Sequence, residues 1–366
     1  MSNKNQYELD FEEYIRNSEP DKKDKTYAWT TAIGLQQVDK LTPSKQLYDV
    51  AKQNIDGKIS INEAKKIIDT YYKSKTVRTD NNLNRTEEAD KVSLRIAQIL
   101  SEKSFNFSPS YLIAIHGRLF DGIFEFAGKI RDYDISKKEW VLDNDSVIYG
   151  AAFELKEALN YDFEQERKFS YKNLDINEIV KHITLFVSKL WQIHAFGEGN
   201  TRTTAVFVIK YLRTLGFKVS NDIFAKNSWY FRNALVRANY NNLQKGIREE
   251  TEYLEKFFRN LLLNEHNELK NRYLHIRYKN LPVNNKKQEK TGKNLSVNLS
   301  VNKTQKRIIE LLTESPKYTY DELAKRINKT RETVRANLRI LESKKIIKRV
   351  GADKNGYWKV LINEQI

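Results

Sequence analysis

Residues 175–216 read DINEIVKHITLFVSKLWQIHAFGEGNTRTTAVFVIKYLRTLG, and the reading of this stretch decides the fold. Asp175 and Glu178 stand three apart before an apolar run, the spacing of a capping box in which each side chain bonds the other's backbone N–H. Ile179, Ile183, Phe186, Val187 and Leu190 repeat at helical spacing, which predicts a helix over 175–193 with one face in a core. A second helix is predicted from Thr203 to Leu215, ended by Gly216. The segment between them, His194 to Arg202, holds a base, a carboxylate, two glycines, an amide and a guanidinium.

A helix fixed by its core face gives His194 a rigid base. Gly197 and Gly199 let the backbone approach a ligand without a Cβ in the way. The N–H groups of Gly199, Asn200, Thr201 and Arg202 come just before the second helix, where backbone donors and the helix dipole bind anions. Glu198 suits Mg2+, which takes a carboxylate together with phosphate oxygens. Arg202 suits a phosphate clamp, and His194 suits removal of a proton from an incoming hydroxyl. Taken singly, each residue has a plainer reading: His194 as a cap, Glu198 as a solvated acid, Gly-Glu-Gly-Asn as a turn. Their conjunction in one short segment argues for a phosphate site. A zinc-type centre is disfavoured, because His194 and Glu198 have no further His or Asp at ligand spacing.

Outward from this segment, further helices are predicted over 44–74, 86–101, 108–120 and 228–263. Ser60 and Glu63 form another capping box. Asn54, Asp56, Gly57, Ile59 and Glu63 imitate a calcium loop, but Lys52 stands at its first ligand position and excludes Ca2+. Lys129–Ile135 and Glu139–Leu142 alternate around Ser136-Lys137-Lys138, which predicts a small β-hairpin on an otherwise helical body. The 366 residues suffice for two or three domains, and 40% hydrophobic residues allow a sizeable core. Cysteine is absent, which excludes disulfides, thiolate metal sites and a cysteine nucleophile. There is no run of 18 apolar residues, and the opening MSNKNQYELDFEEY lacks a signal peptide's basic and apolar regions. The expectation is a soluble, cytoplasmic protein with no membrane partner.

Charge is unevenly placed. Residues 270–366 hold 24 Lys and Arg against 9 Asp and Glu, so this quarter carries +15 of the net +16. That asymmetry points to a polyanion-binding module. Residues 276–303 are polar and basic, with a repeated NLSV, and read as a linker. TQKRIIELLTE, TYDELAKRIN and RETVRANLRILESKKII then read as three short helices. KRVGADKNGYWKVL reads as a hairpin with its tip at Gly351–Gly356. Three helices and a basic hairpin describe a winged helix-turn-helix. Its recognition helix would lie in Thr330–Ser343, with Arg331, Thr333, Arg335 and Arg339 toward DNA. Lys344, Lys345, Lys348, Arg349 and Lys354 would meet phosphate. Protein contact or dimerisation is the other use of such a module.

The central segment resembles the signature of the Fic family, His-x-Phe-x-Asp/Glu-Gly-Asn-Gly/Lys-Arg-x-x-Arg. His194, Phe196, Glu198, Gly199, Asn200 and Arg202 match in order and spacing, and the resemblance spans roughly residues 105–265. It implies a helical Fic fold whose β-hairpin is a target-binding flap, and transfer of AMP from ATP to a protein hydroxyl. His194 is then the general base, Glu198 the Mg2+ ligand, and Gly199, Asn200 and Arg202 phosphate holders, with Gly197 and Thr201 in the same loop. Phe196 sets the loop from the core. Lys137, Lys138 and Trp140 lie on or beside the flap. Thr201 stands where the family has glycine or lysine, and Ala205 replaces the signature's last arginine. In TTAIGL, residues 30–35, Gly34 occupies the place of the family's inhibitory glutamate, so glutamate-mediated autoinhibition is not expected.

The expected fold is mainly α: a Fic fold with a β-hairpin flap, plus a C-terminal winged helix. The expected domains are an N-terminal regulatory-like helical region (1–100), a Fic catalytic domain (101–270), a basic linker (271–303) and the winged helix (304–366). The expected function is a protein adenylyltransferase using ATP and Mg2+ on a Ser, Thr or Tyr of a target protein, with a DNA-binding module. The alternatives are a DNA-binding regulator with a nucleotide-sensing Fic domain, and transfer of a different phosphate-linked group. A homo-oligomer is compatible with the sequence.

Overall fold

In the computed structural model, residues 4–17, 19, 22–74, 83–280, 303–343, 346–350 and 357–360 are described. The chain divides into two compact units, Met1–Asn284 and Asn285–Ile366. In the first, α1 (Gln6–Arg16), α2 (Lys23–Gly34), α3 (Lys45–Ile55), α4 (Ile61–Lys73) and α5 (Leu83–Ser101) precede α6 (Pro109–Phe120). Then come α7 (Leu155–Lys168), α8 (Ile176–Ile193), α9 (Asn200–Thr214), α10 (Ile223–Ala238), α11 (Glu252–Leu263) and the short α12 (Asn271–Leu274). One continuous apolar core runs from Phe11 to Leu274, so the N-terminal helices pack into the same interior as the central ones.

Local chemistry sets the helix starts. The Asp175 carboxylate accepts from the N–H groups of Asn177 and Glu178, and Glu178 reaches back to the Asp175 N–H, completing the expected box on α8. Ser60 and Glu63 do the same on α4. The predicted helix over 44–74 is two helices, because Gly57 turns the chain at φ +74°. Helix α9 begins three residues earlier than the sequence suggests, with Gly199 (φ +78°) as its N-cap. Every residue from Asn200 to Leu212 is buried, so the run TTAVFVI is the centre of the core rather than one face of a surface helix.

The predicted β-hairpin is corrected. Residues 129–146 form no ladder; one bridge, Glu139 with Asp145, closes a 3-10 turn at Trp140–Leu142. The alternation there has tertiary causes. The Arg131 N–H donates to the Ala195 carbonyl (3.0 Å), and Glu139 is buried to receive Arg232. The backbone acceptor that a strand partner would give Arg131 comes from the loop after α8.

The second unit holds α13 (Lys303–Glu314), α14 (Tyr320–Ile327), α15 (Arg331–Ser343) and an antiparallel pair, β1 (Ile347–Val350) with β2 (Tyr357–Val360). Ile308, Leu312, Leu323, Val334, Leu338, Leu341 and Trp358 form its core. The Trp358 N–H donates to the Pro316 carbonyl (2.8 Å), tying the strand pair to the turn after α13. This is the expected mainly helical architecture with a small C-terminal two-stranded sheet. The hairpin tip with Lys354, the pair Lys344 and Lys345, and residues 281–302 of the expected linker lie outside the described residues.

Candidate active site

The loop between α8 and α9 is held from below by two residues that sequence reasoning missed. His116, on α6, is fully buried and stacks on Phe196 with centroids 3.8 Å apart. Its Nδ1 accepts from the Gly128 N–H (2.9 Å), so Nε2 carries the proton and donates to the Glu198 carbonyl (3.0 Å). Burial pushes its pKa down to about 4, which keeps the ring neutral. Arg131 is the second. Its guanidinium donates to the carbonyls of His194 (2.8 Å), Tyr133 (2.6 Å) and Gly150, binding three segments around the end of α8. Arg131 has no local sequence signature, since three of its four carbonyl partners, those of Gly150, Ile193 and His194, lie 19 to 63 residues along the chain. His116 is one of five histidines and sits on a predicted helix, but its partners are 12 and 82 residues away.

Within the loop, shape is set by backbone constraint. A Cβ on Gly199 would lie 2.3 Å from the Phe120 ring, and one on Gly197 would lie 2.5 Å from the Tyr133 hydroxyl. Asn200 was expected among the phosphate holders. Its amide instead spans the loop, donating to the Phe196 carbonyl (2.6 Å) and accepting from the Phe196 N–H (3.0 Å). Thr201 accepts from the Trp191 indole N–H (3.0 Å). These bonds leave the backbone N–H groups of Asn200, Thr201 and Arg202 as the first-turn donors of a 15-residue helix, which have no intrahelical acceptor.

His194 caps α8 in the left-handed region, φ 51°. It is 3% exposed, and neither ring nitrogen has a hydrogen-bond partner among the described residues. Tyr149 packs on the ring with centroids 4.1 Å apart. Burial and then the charge of Lys137 hold the imidazole well below the usual histidine range; the Trp191 main chain, near the ring but outside hydrogen-bond geometry, opposes the shift, and Arg232 and Arg131 add to it. A neutral ring with unused nitrogens is what a proton acceptor requires. Glu198 is ionised below the usual carboxylate range; burial opposes this, and the Lys137 charge with the Gly199 N–H outweighs it. Its side chain is 43% exposed, with Oε2 3.0 Å from the Lys137 ammonium and Oε1 3.1 Å from the Gly199 nitrogen. One partly exposed carboxylate that already holds a cationic group suits Mg2+, which completes its shell with substrate oxygens and water. No group of three or more possible metal-ligating side chains occurs among the described residues.

Arg202, expected as a phosphate clamp, turns away from the loop. It is fully buried; Nη2 donates to Glu88 (2.6 Å) and Nη1 to Gln36 (3.1 Å). The Asp39 carboxylate stands 2.8 Å from Nε, off the N–H axis, and pairs with it as an ion. The guanidinium also lies over the Phe120 ring, 4.8 Å from its centroid. Ala205 is fully buried one turn further along. Lys138 is exposed, and Trp140, half exposed, sets its ring against His275. Gly34, the expected site of a missing inhibitory glutamate, packs against α10. A Cβ there would come within 2.3 Å of the Ala225 carbonyl oxygen, and the Ser228 hydroxyl donates to the Gly34 carbonyl (2.6 Å). No side chain larger than hydrogen fits at 34 without displacing α10. Gln36, Asp39 and Glu88 meet Arg202, the signature's first arginine, while Ala205 stands at the place of the last.

In the second unit, Arg331, Arg335 and Arg339 recur every four residues on the exposed side of α15. Arg331 stands 3.6 Å from Asp321, and Thr333 is partly buried against Thr330. Lys348 is exposed, and the Arg349 guanidinium lies over Trp358 (5.2 Å).

Residues 106–212 match the family model Fic/DOC family, and residues 301–348 match winged helix-turn-helix DNA-binding. The chain therefore carries a Fic-family domain followed by a winged helix-turn-helix. It is similar to protein adenylyltransferase VbhT of Bartonella schoenbuchensis, 29% identical over 119 residues. The match spans 32% of this chain and 24% of that protein's length. A crystal structure of a Fic family protein from Desulfovibrio desulfuricans G20 aligns with 98% of this chain and 97% of its own, at 12% identity and a TM-score of 0.42.

Proposed function

We propose that the protein is a Fic-type adenylyltransferase that moves AMP from ATP to a Ser, Thr or Tyr hydroxyl of a target protein. The observation that carries this reading is His194, neutral and with no hydrogen-bond partner on its ring nitrogens among the described residues, at the C-cap of α8 in the loop that leads into the N-terminal donors of α9. His194 takes the proton of the target hydroxyl as its oxygen attacks the α-phosphorus. The new P–O bond forms as the α–β bond breaks, and pyrophosphate leaves. The amides at the start of α9 meet the negative charge that develops on the phosphoryl oxygens. Mg2+, held by Glu198, would supply further charge neutralisation when bound. Tyr149 must shift from the His194 ring for a hydroxyl to arrive. The winged helix is proposed to bind duplex DNA through Arg331, Thr333, Arg335, Arg339 and Lys348, which fits a cytoplasmic protein.

The closed His194 and the engaged Arg202 favour a second reading, a DNA-binding regulator whose Fic domain senses nucleotide with little transfer. ATP labelled at the α- or γ-phosphate separates the two. α-label on protein, lost in His194→Ala, supports adenylyl transfer. γ-label indicates phosphorylation, and no label with retained ATP binding supports the sensor.

A further inference from the structure

The Glu198 carboxylate occupies the position of an anion. One oxygen accepts from the Gly199 N–H at the N-cap of α9, and the other meets the Lys137 ammonium. Donors of this kind, a backbone N–H at a helix start and a lysine, are those that bind phosphate. The other cations near His194 are engaged. Arg131 is committed to main-chain carbonyls, and Arg232 is paired with Glu139 (2.5 Å). Arg202 faces Glu88, Gln36 and Asp39. Of the three charges that depress the His194 pKa, Lys137 is the most exposed, and it alone meets a side chain of the loop. Its main chain is anchored by donation to the Ser146 hydroxyl (3.2 Å), which fixes the root of the side chain.

We infer that Lys137 is a phosphate-binding residue, and that the Glu198 carboxylate stands in for a nucleotide polyphosphate until one arrives. The incoming polyphosphate takes the Gly199 N–H and the Lys137 ammonium; the released carboxylate then becomes available to a divalent cation. Lys137 thus supplies a positive charge that the engaged Arg202 does not offer. This rests on the nucleotide-site reading above and assigns Lys137 to the nucleotide rather than to a target protein.

Calorimetric titration of the full chain with ATP and with AMP, in EDTA and then in Mg2+, tests it. Lys137→Met should weaken ATP binding by about tenfold or more while moving AMP by less than about threefold, the loss of one charge-assisted bond to the terminal phosphates. Lys137→Arg should retain ATP binding. Glu198→Gln should tighten ATP in EDTA, because the competing carboxylate is gone; a residue that served only as a metal ligand would change nothing there. Unchanged ATP affinity in Lys137→Met, equal losses for ATP and AMP, or weaker metal-free ATP binding in Glu198→Gln each overturn the inference. If Lys137→Met does not fold, the Glu198→Gln result decides alone. Wild-type protein that binds no ATP overturns the nucleotide reading itself, whereas wild-type binding with an indifferent Lys137→Met overturns only the role of Lys137.

Discussion

At the scale of single residues, the loop's shape depends on side chains outside it. His116 holds Glu198 by its carbonyl and Gly128 by its N–H, in one defined tautomer. His116→Phe would keep the stack on Phe196 but leave two partly buried main-chain groups unpaired, each costing roughly 1 kcal/mol or more. Stability should fall by that order in chemical denaturation, with a loss of transfer. The pH dependence follows with a definite sign. The folded pKa is about 4, and the unfolded value is about 6.5. Between these the unfolded chain binds more protons, so stability rises with pH across the window and is lost as pH falls through it. Denaturation midpoints at several pH values should show a shallower acid loss in His116→Phe than in wild type. His194, depressed for similar reasons, keeps the remaining slope in the same direction.

At the scale of elements, two glycines separate freedom from close approach. Gly199 has both a positive φ and an aromatic ring where a Cβ would go. Gly34 has ordinary helical angles but lies against the backbone of α10. In sequence, Gly34 reads as a missing acid that could be restored. In the fold, Gly34→Glu would drive α2 off α10. The paired change Gly34→Glu with Ala205→Arg is therefore expected to lower the melting temperature by several degrees rather than create a regulated enzyme. A folded double variant, as stable as wild type and inhibited, would contradict the packing argument.

At the scale of the whole molecule, Arg202 joins the signature helix to the N-terminal region through Gln36, Asp39 and Glu88, inside one continuous core. Removing one partner of so buried an ion would be far more costly than loss of a surface pair. The second unit carries the basic excess, and its exposed arginines recur along α15. Binding of the full chain to duplex DNA should weaken steeply between low and physiological salt. Arg335→Ala with Arg339→Ala should reduce both the affinity and that salt slope. Salt-insensitive binding, or none detectable, would assign the winged helix to protein contact.

The helices on either side of the loop, and most others, were legible in the sequence because they rest on local rules: capping boxes, apolar spacing and a signature compressed into a few residues. Helix α7 and the expected hairpin show the limit. The first has few strongly periodic apolar positions; the second has an alternation that a neighbouring loop and Arg232 satisfy without any strand partner. The sequence by itself determined which groups stand in the loop: an imidazole, a carboxylate and the N–H donors of a helix start. Only the tertiary structure decided which remain available: Asn200 ties the loop, Arg202 faces the N-terminal helices, and Lys137 reaches Glu198. The reason is that a side chain's chemistry is local, whereas its partners are set by burial and by chain segments tens of residues away.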